Sequence, residues 1–533
     1  MSSEEIIEAL ELQAKLLELH GENSFKARAF SNAAFKLNKM RFDFTDKTKE
    51  DVDAIEGIGK SISQFIDELR QHGSAREQDE LLERTPDGIV EMMSIKGLGP
   101  KKVHAIWKDL GCETVGELLY ACNENRLASL KGFGAKTQAA VKESILFRNQ
   151  NAAKKHYAAL DGFLKDYLNR IQKKHPHVQV DVAGEFRRKC EVLEKLDILS
   201  DSELPDEFKR LEFETGLPAT YHVCDKKEFA RRLFELTATA EHLIHIKYNT
   251  LQKTHEASEE AIYKELHMPY MPPETREGLH EVQFFKHHTA DELIEMNDLK
   301  GILHNHTTYS DGLNTLEEMA DYCHELGYEY LGICDHSKTA SYAGGLSEER
   351  IDEQHVEIDK LNKKYSGFKI LKGIESDILS NGSLDYHTDT LKLFDFVVAS
   401  VHSNLKMNEE KANERLIKAI ENPYTSILGH PTGRLLLARP GYPIDHRKII
   451  DACAANGVSI ELNAHPYRLD IDWRWIYYCM EKEVMVSINP DAHHKEGYHD
   501  MYYGVCVARK GLLTKDMCLN ALTLNQVIKK FKK

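Results

Sequence analysis

Apolar positions in the first third of the chain recur at helical spacing and predict helices over 4–19, 24–39 and 60–72, with few strand signals. From about residue 178 short apolar runs at 178–183, 196–199 and 220–224 predict strands between helices. The stretch 269–277, Pro-Tyr-Met-Pro-Pro-Glu-Thr-Arg-Glu, holds three prolines and predicts an irregular connector. After Leu299 the pattern alternates. Strand-like runs at 302–306, 330–335, 369–375, 394–402, 426–430, 459–463 and 485–491 are separated by helical stretches such as 315–326 and 347–364. Seven βα units predict a parallel sheet closed into a barrel. The main boundary falls between about 275 and 298.

A short unit recurs within the helical part. It reads Ile55-Glu56-Gly57-Ile58-Gly59-Lys60, then Ile95-Lys96-Gly97-Leu98-Gly99-Pro100-Lys101, then Leu130-Lys131-Gly132-Phe133-Gly134-Ala135-Lys136, at spacings of about 40 and 35 residues. Each copy opens a helix. Glycines let a backbone approach a phosphate, and the amides at the next helix's N-terminus can bind it. One Gly-x-Gly is an ordinary tight turn. Three copies, each with a lysine at or near the end of the motif, point to sequence-independent contacts with a DNA backbone through Gly57, Gly59, Lys60, Gly97, Gly99, Lys101, Gly132, Gly134 and Lys136.

Composition changes this picture only in part. A 533-residue chain is too long for one core, so several domains are expected. The net charge of −16 weighs against a whole-chain nucleic-acid binder. Binding follows local charge, however, and 131–155 carries Lys131, Lys136, Lys142, Arg148, Lys154 and Lys155 against Glu143 alone. No apolar run approaches the roughly 18–20 residues that span a bilayer. The acidic N-terminus lacks the features of a secretory signal. The ten cysteines are scattered, which suits reduced thiols and a cytoplasmic protein.

The predicted barrel strands end in metal-ligand residues. The first gives His304 and His306, with Asp311 in the loop beyond. The second gives Asp335 and His336, the third Glu375, the fourth His402, the fifth His430. The sixth runs into Asn463 and His465, and the seventh gives Asp491 and His493, with His494 beside it. Residues i and i+2 of a strand share a face, and the C-terminal strand ends of a parallel barrel converge on one mouth. A lone histidine at a strand end is usually a polar cap; such residues at the same end of successive strands are a site. Nitrogen and oxygen donors without cysteine favour two or three divalent ions, Mn²⁺, Zn²⁺ or Fe²⁺, with Glu375 suited to bridge them.

These segments carry a resemblance. Leu303-His-Asn-His-Thr-Thr-Tyr-Ser-Asp-Gly312, Cys334-Asp-His-Ser337, Gly373-Ile-Glu-Ser-Asp377, Ser400-Val-His-Ser403, Gly429-His-Pro-Thr-Gly-Arg434 and Asn489-Pro-Asp-Ala-His493 resemble the motifs of the polymerase-and-histidinol-phosphatase (PHP) family. The resemblance implies a (β/α)7 barrel and a trinuclear centre held by His304, His306, Asp311, His336, Glu375, His402, His430, Asp491 and His493. Asp335, suited to orient a neighbouring histidine, and Arg434, whose fork of donors suits a phosphate, are the further candidate catalytic residues. The glycine units resemble helix-hairpin-helix motifs.

The whole order resembles the bacterial-type family X DNA polymerases. That implies a helical DNA-binding domain at 1–85, fingers with two hairpins at 86–155, palm and thumb at 156–290 and a PHP phosphoesterase at 298–533. Ala183-Gly-Glu-Phe-Arg-Arg-Lys-Cys-Glu191 matches the palm signature in part. Family palms carry a Gly-Asp-x-Asp strand and a third Asp. Here Lys195 stands at the first Asp, only Asp197 remains, Thr220 stands where the third belongs, and Glu185 replaces a nucleotide-binding Ser. The resemblance with these departures implies a degenerate polymerase core beside an intact DNA phosphoesterase, a 3′→5′ exonuclease or end-processing enzyme of DNA repair. An active polymerase with proofreading, a small-molecule phosphatase of the histidinol-phosphate type and a DNA-binding scaffold are the rival readings.

Overall fold

The computed structural model describes residues 1–40, 42–45, 47–55, 57–151, 153–251 and 258–532; Glu56 of the first glycine unit lies outside them. The chain divides into two compact units, Met1–Ala152 and Ala153–Lys533.

The first unit is helical throughout its described residues. The three helices expected near its start are Ser3–Leu19, Ser24–Lys39 and Lys60–His72. Local chemistry fixes their ends. Ser2 and Glu5 cap the first reciprocally, the Asn23 side chain accepts from two amides of the second, and Gly73 closes the third at φ 75°. One continuous core runs from Ile6 to Ile145. The segments 1–85 and 86–155 therefore share a core rather than breaking at 85/86. His104 Nδ1 lies 2.9 Å from the Leu19 carbonyl, which ties one segment to the other.

The three glycine units adopt one geometry. Gly57, Gly97 and Gly132 sit at φ 87°, 90° and 89°. A Cβ on any of them would meet nothing within 4 Å, so the left-handed backbone alone demands glycine there. Gly59 and Gly99 then cap Lys60–His72 and Pro100–Leu110 without any side-chain bond, and Gly134 immediately precedes Ala135–Asn151. No side chain caps the first-turn amides after Gly59 and Gly99, although Ile62 N and Lys102 N donate back to the Gly59 and Gly99 carbonyls. Lys60, Lys101 and Lys136 occupy those first turns; Lys101 is strongly exposed, with Glu18 3.8 Å away.

The second unit opens with strand β1 (Lys155–His156), which pairs antiparallel with β3 (Val192–Leu193). A three-stranded sheet orders β2 (Val180–Val182), β4 (Leu196–Ser200) and β5 (Ala219–Val223); β2 runs antiparallel and β5 parallel to β4. The proline-rich connector is irregular, as expected, but buried. Arg276 is wholly enclosed and forks onto Glu259, which also holds Arg187.

The barrel follows. β6 (Gly301–Ile302), β7 (Tyr330–Ile333), β8 (Lys369–Asp377), β9 (Phe396–Ser400), β10 (Ile427–Leu428), β11 (Ser459–Asn463) and β12 (Val486–Asn489) lie side by side in chain order, all parallel. All seven expected strands form, though the first is only two residues long. Side chains close the seam it leaves. Leu303 N donates to Asn489 Oδ1 at 3.2 Å, and His306 N to the Ala492 carbonyl at 2.8 Å. Asn520 accepts from Ile488 N (2.7 Å) and donates to the Gly301 carbonyl (3.0 Å). Tyr502 and Tyr503 pack against the core of the smaller sheet, and nearby buried Lys510 pairs with Glu277, a carboxylate that also takes Arg188.

Asn520→Ala leaves the Ile488 amide and the Gly301 carbonyl buried without partners, at about 1–3 kcal/mol each. Faster amide hydrogen exchange is expected in 299–306 and 485–492, with exchange in 1–152 unchanged; equal exchange at the seam contradicts this role.

Candidate metal centre

Every barrel strand delivers a side chain to one rim, as the sequence leads one to expect. Glu375 stands in the middle, wholly buried. Its Oε1 lies 3.3 Å from His304 Nε2, 3.2 Å from His402 Nε2 and 3.0 Å from His430 Nε2. Its Oε2 lies 2.9 Å from His336 Nδ1 and 3.6 Å from His306 Nε2. One carboxylate therefore faces five imidazoles, with different rings on its two oxygens.

Three overlapping donor groups surround it among the described residues. They are His306 with Asp311, His336 and His493; His304 with His306 and Asp491; and His336 with Glu375 and His402. Within each group one donor atom per residue lies within 4.8 Å of the others. His430 completes the set through Glu375 and adopts φ 20°, while Asp491 adopts φ 52°. A left-handed Asp in a buried strand end is strained backbone, held by its surroundings.

The buried polar atoms fit cations. His304 Nε2, His306 Nδ1, His336 Nδ1, His430 Nδ1 and Glu375 Oε2 make no hydrogen bond. Buried lone pairs of this kind are costly unless something electropositive meets them. Burial pushes His306 down to about 3, helped by His493 and His336, so it stays an unprotonated donor. Burial opposes charge on Glu375, but His402, His304 and His336 outweigh it and hold the carboxyl well below its usual range. Burial likewise opposes a charged His402 and His493; Glu375 and Asp377 lift the first to about 10, and Asp311 and Asp491 the second to about 9. His304 is raised well above the ordinary imidazole value, since Glu461, Glu375 and Asp491 overcome its burial.

Glu461 and Asp377, which the strand-end pattern does not single out, orient the donors together with Asn463. Glu461 Oε2 lies 2.6 Å from His304 Nδ1, and its other oxygen accepts from His430 N at 3.1 Å. Asp377 takes His402 Nδ1 and accepts from Thr339 Oγ1 at 2.8 Å. Asn463 donates to Asp491 Oδ2 at 3.0 Å. The signal was present: Glu375/Asp377 and Glu461/Asn463 are i, i+2 pairs on a strand, so each shares a face.

Four expectations are redrawn. Asp335 belongs to none of the donor groups. It accepts from Thr307 N, Thr307 Oγ1, Ser310 N, Ser310 Oγ and Gln354 Nε2, and so fixes the loop that carries Asp311. Arg434 holds no open fork for a phosphate. Its guanidinium donates to the Arg468 and Leu469 carbonyls and to Asp472, and it is largely buried. His465 accepts from Tyr467 N at 3.2 Å, and burial lowers it to about 4. His494 accepts from Gly497 N and caps a turn. A strand-end motif shows which residues are adjacent, but not which way a loop side chain turns.

Comparison with known proteins matches the helix-hairpin-helix domain to residues 1–75, the SAM-like helix-hairpin-helix tandem to 89–145 and the PHP domain to 303–465. The DNA polymerase/3′-5′ exonuclease PolX of Bacillus subtilis is 32% identical over 570 aligned positions, covering 99% of each chain. The chain belongs to the PolX family. A probable phosphatase of Thermoanaerobacter is 28% identical over 235 residues, 42% of this chain and 91% of its own. Another, of Acetivibrio thermocellus, is 32% identical over 171 residues, 31% of this chain and 65% of its own.

Asp197 on β4 lies opposite Thr220 on β5. Lys195 Nζ sits 2.9 Å from Asp197 Oδ2, and His222 Nε2 sits 3.1 Å from Oδ1. Glu185 Oε2 accepts from the amides of Glu194 (2.7 Å) and Lys195 (3.4 Å). Both oxygens of Asp197 are thus already engaged by side chains.

Two results are expected at the barrel centre. Glu461→Gln should lower metal affinity by about 10- to 100-fold without unfolding the barrel; unchanged affinity by calorimetry contradicts the assigned role. In metal-free protein His402 and His493 hold protons up to about 10 and 9. Cation binding at neutral pH should therefore release protons, and apparent affinity should rise toward those values. Calorimetry in buffers of different ionisation enthalpy checks the sign; proton uptake contradicts it.

Proposed function

We propose that the chain is a metal-dependent DNA phosphoesterase, a 3′→5′ exonuclease or end-processing enzyme of DNA repair, whose palm no longer polymerises. The observation that carries this reading is Glu375, buried with its two oxygens turned to different imidazoles. His304, His306, Asp311, His336, Glu375, His402, His430, Asp491 and His493 hold two or three divalent ions, and a donor set of nitrogen and oxygen suits Mn²⁺, Zn²⁺ or Fe²⁺. Such ions supply Lewis acidity to the phosphate oxygens and to the attacking water. The protein's own contribution is placement. Glu461 and Asp377 set the ring planes of His304 and His402, and Asp335 sets the loop of Asp311.

Support for a silent palm is electrostatic. Polymerisation needs several carboxylates to hold two cations on a triphosphate. Lys195 places a positive charge there instead, and Thr220 offers only a hydroxyl. DNA is gripped by the helical unit: the helices after Gly59 and Gly99 begin without a side-chain cap, and Lys60, Lys101 and Lys136 stand in the first turns after the three glycine units, which suits phosphate contacts without base readout. The domain order behind this reading is a helical DNA-binding segment at 1–85, a fingers-like segment at 86–155, a degenerate palm and thumb at 156–290 and a PHP domain at 298–533. Among the described residues no helix is long and apolar enough to cross a membrane; a DNA substrate points to work in the cytoplasm. The probable phosphatases match less than half of this chain, and a small-ester phosphatase has no use for three glycine hairpins.

The test is a Mn²⁺-supplemented assay on a 5′-labelled primer–template, with and without deoxynucleotides. Shortening without extension is expected, and it should vanish in a His304→Ala/His306→Ala variant. Extension of the primer, or shortening that survives in the variant, overturns the reading.

A further inference from the structure

The arginine of the PHP motif, Arg434, is spent on backbone carbonyls, and one of those belongs to Arg468. Arg434 thus anchors the turn that carries a second arginine. That turn is tight: Arg468 N donates to the His465 carbonyl at 2.8 Å, and Tyr467 N to His465 Nδ1 at 3.2 Å. It delivers the Arg468 side chain, 23% exposed, to the metal centre, with Nε 3.8 Å from Asp491 Oδ2. Arg468 makes no side-chain hydrogen bond with any described residue. A planar fork of five donors, beside a donor carboxylate and unspent, matches the geometry and charge of a phosphodiester.

A second side chain stands at the same centre. The turn Ser341–Ala343, closed by Gly344 at φ 70°, holds Tyr342 with its side chain 73% exposed. Its ring centroid lies 6.4 Å from that of His336, a member of two of the donor groups. A phenol is neutral at physiological pH. An exposed, neutral aromatic face beside a phosphoryl-handling centre is a stacking platform for a base.

We propose that Arg468 holds the phosphodiester to be cut and that Tyr342 stacks on the strand's unpaired terminal base. The proposal rests on the phosphoesterase reading above. It makes Arg468 a substrate-binding residue in the role first expected of Arg434, and Tyr342 a specificity-determining one. Tyr342 would favour an end that bears a base over one that is abasic, because only the former presents a π-face.

The test uses full-length protein and single-stranded oligonucleotides. Arg468→Ala should lower kcat/KM by about 100-fold with metal content unchanged, and Arg468→Lys should restore it only in part. A 2-aminopurine at the 3′ terminus, behind a phosphorothioate linkage that slows cleavage, should be quenched on binding the wild type and Tyr342→Phe. Tyr342→Ala should lose that quenching and bind about 10-fold more weakly. The same variant should cleave base-bearing and abasic 3′ ends alike, where the wild type prefers the former. Wild-type kcat/KM in Arg468→Ala, loss of bound metal in that variant, or retained quenching in Tyr342→Ala each overturns the assignment. Wild-type protein that cleaves neither oligonucleotide sinks the phosphoesterase reading, and this proposal with it.

Discussion

A single buried carboxylate organises the C-terminal unit. Glu375 is surrounded by five imidazoles from four other strand ends. A lone carboxylate in that position would be expensive, and a cluster of neutral rings would leave lone pairs unmet. Together they form a cage whose charge and lone pairs call for cations. The barrel exists, in this sense, to bring residues separated by up to 189 positions, from His304 to His493, to one rim. The seam between β6 and β12 is the weak point of such closure. It is held by Asn489 and Asn520 rather than by a full ladder, and it lies beside the strands that carry His304, His306 and Asp491.

Much of this could be read from the chain. Alternating βα periodicity located all seven strands, and i, i+2 spacing of His304/His306 and Asp491/His493 located the rim. The three glycine units were equally legible, because only glycine occupies their left-handed backbone without strain. What the sequence hid was side-chain direction in loops. Arg434 looked like a phosphate fork but turns onto carbonyls, whereas Arg468, in no motif, reaches Asp491. Asp335 looked like a partner of His336 but ties down its neighbouring loop. Glu461 and Asp377 sat within strands read for their apolar residues, so their hydrogen bonds to ligand rings became visible only in three dimensions. The helical segments also looked separable, and only packing reveals their common core.

The barrel rim and the three-stranded sheet of the second unit differ in charge balance. At the barrel rim, several buried nitrogens and Glu375 Oε2 find no hydrogen-bond partner. On the three-stranded sheet, Asp197 is met by Lys195 on one oxygen and His222 on the other, so its charge is balanced by the protein itself. An ion pair of that kind satisfies the carboxylate and removes the need for a cation. The same physics that makes one site a metal centre accounts for the other as a closed polar contact on a small sheet.

The central claim is that Glu375 bridges cations, and diffraction at the manganese absorption edge from Mn²⁺-soaked crystals tests it most directly. Anomalous peaks are expected on both sides of the Glu375 carboxylate, each also within coordination distance of the imidazoles and of Asp311 or Asp491. An empty map around Glu375 at saturating Mn²⁺, or peaks only at remote surface carboxylates, would contradict the account.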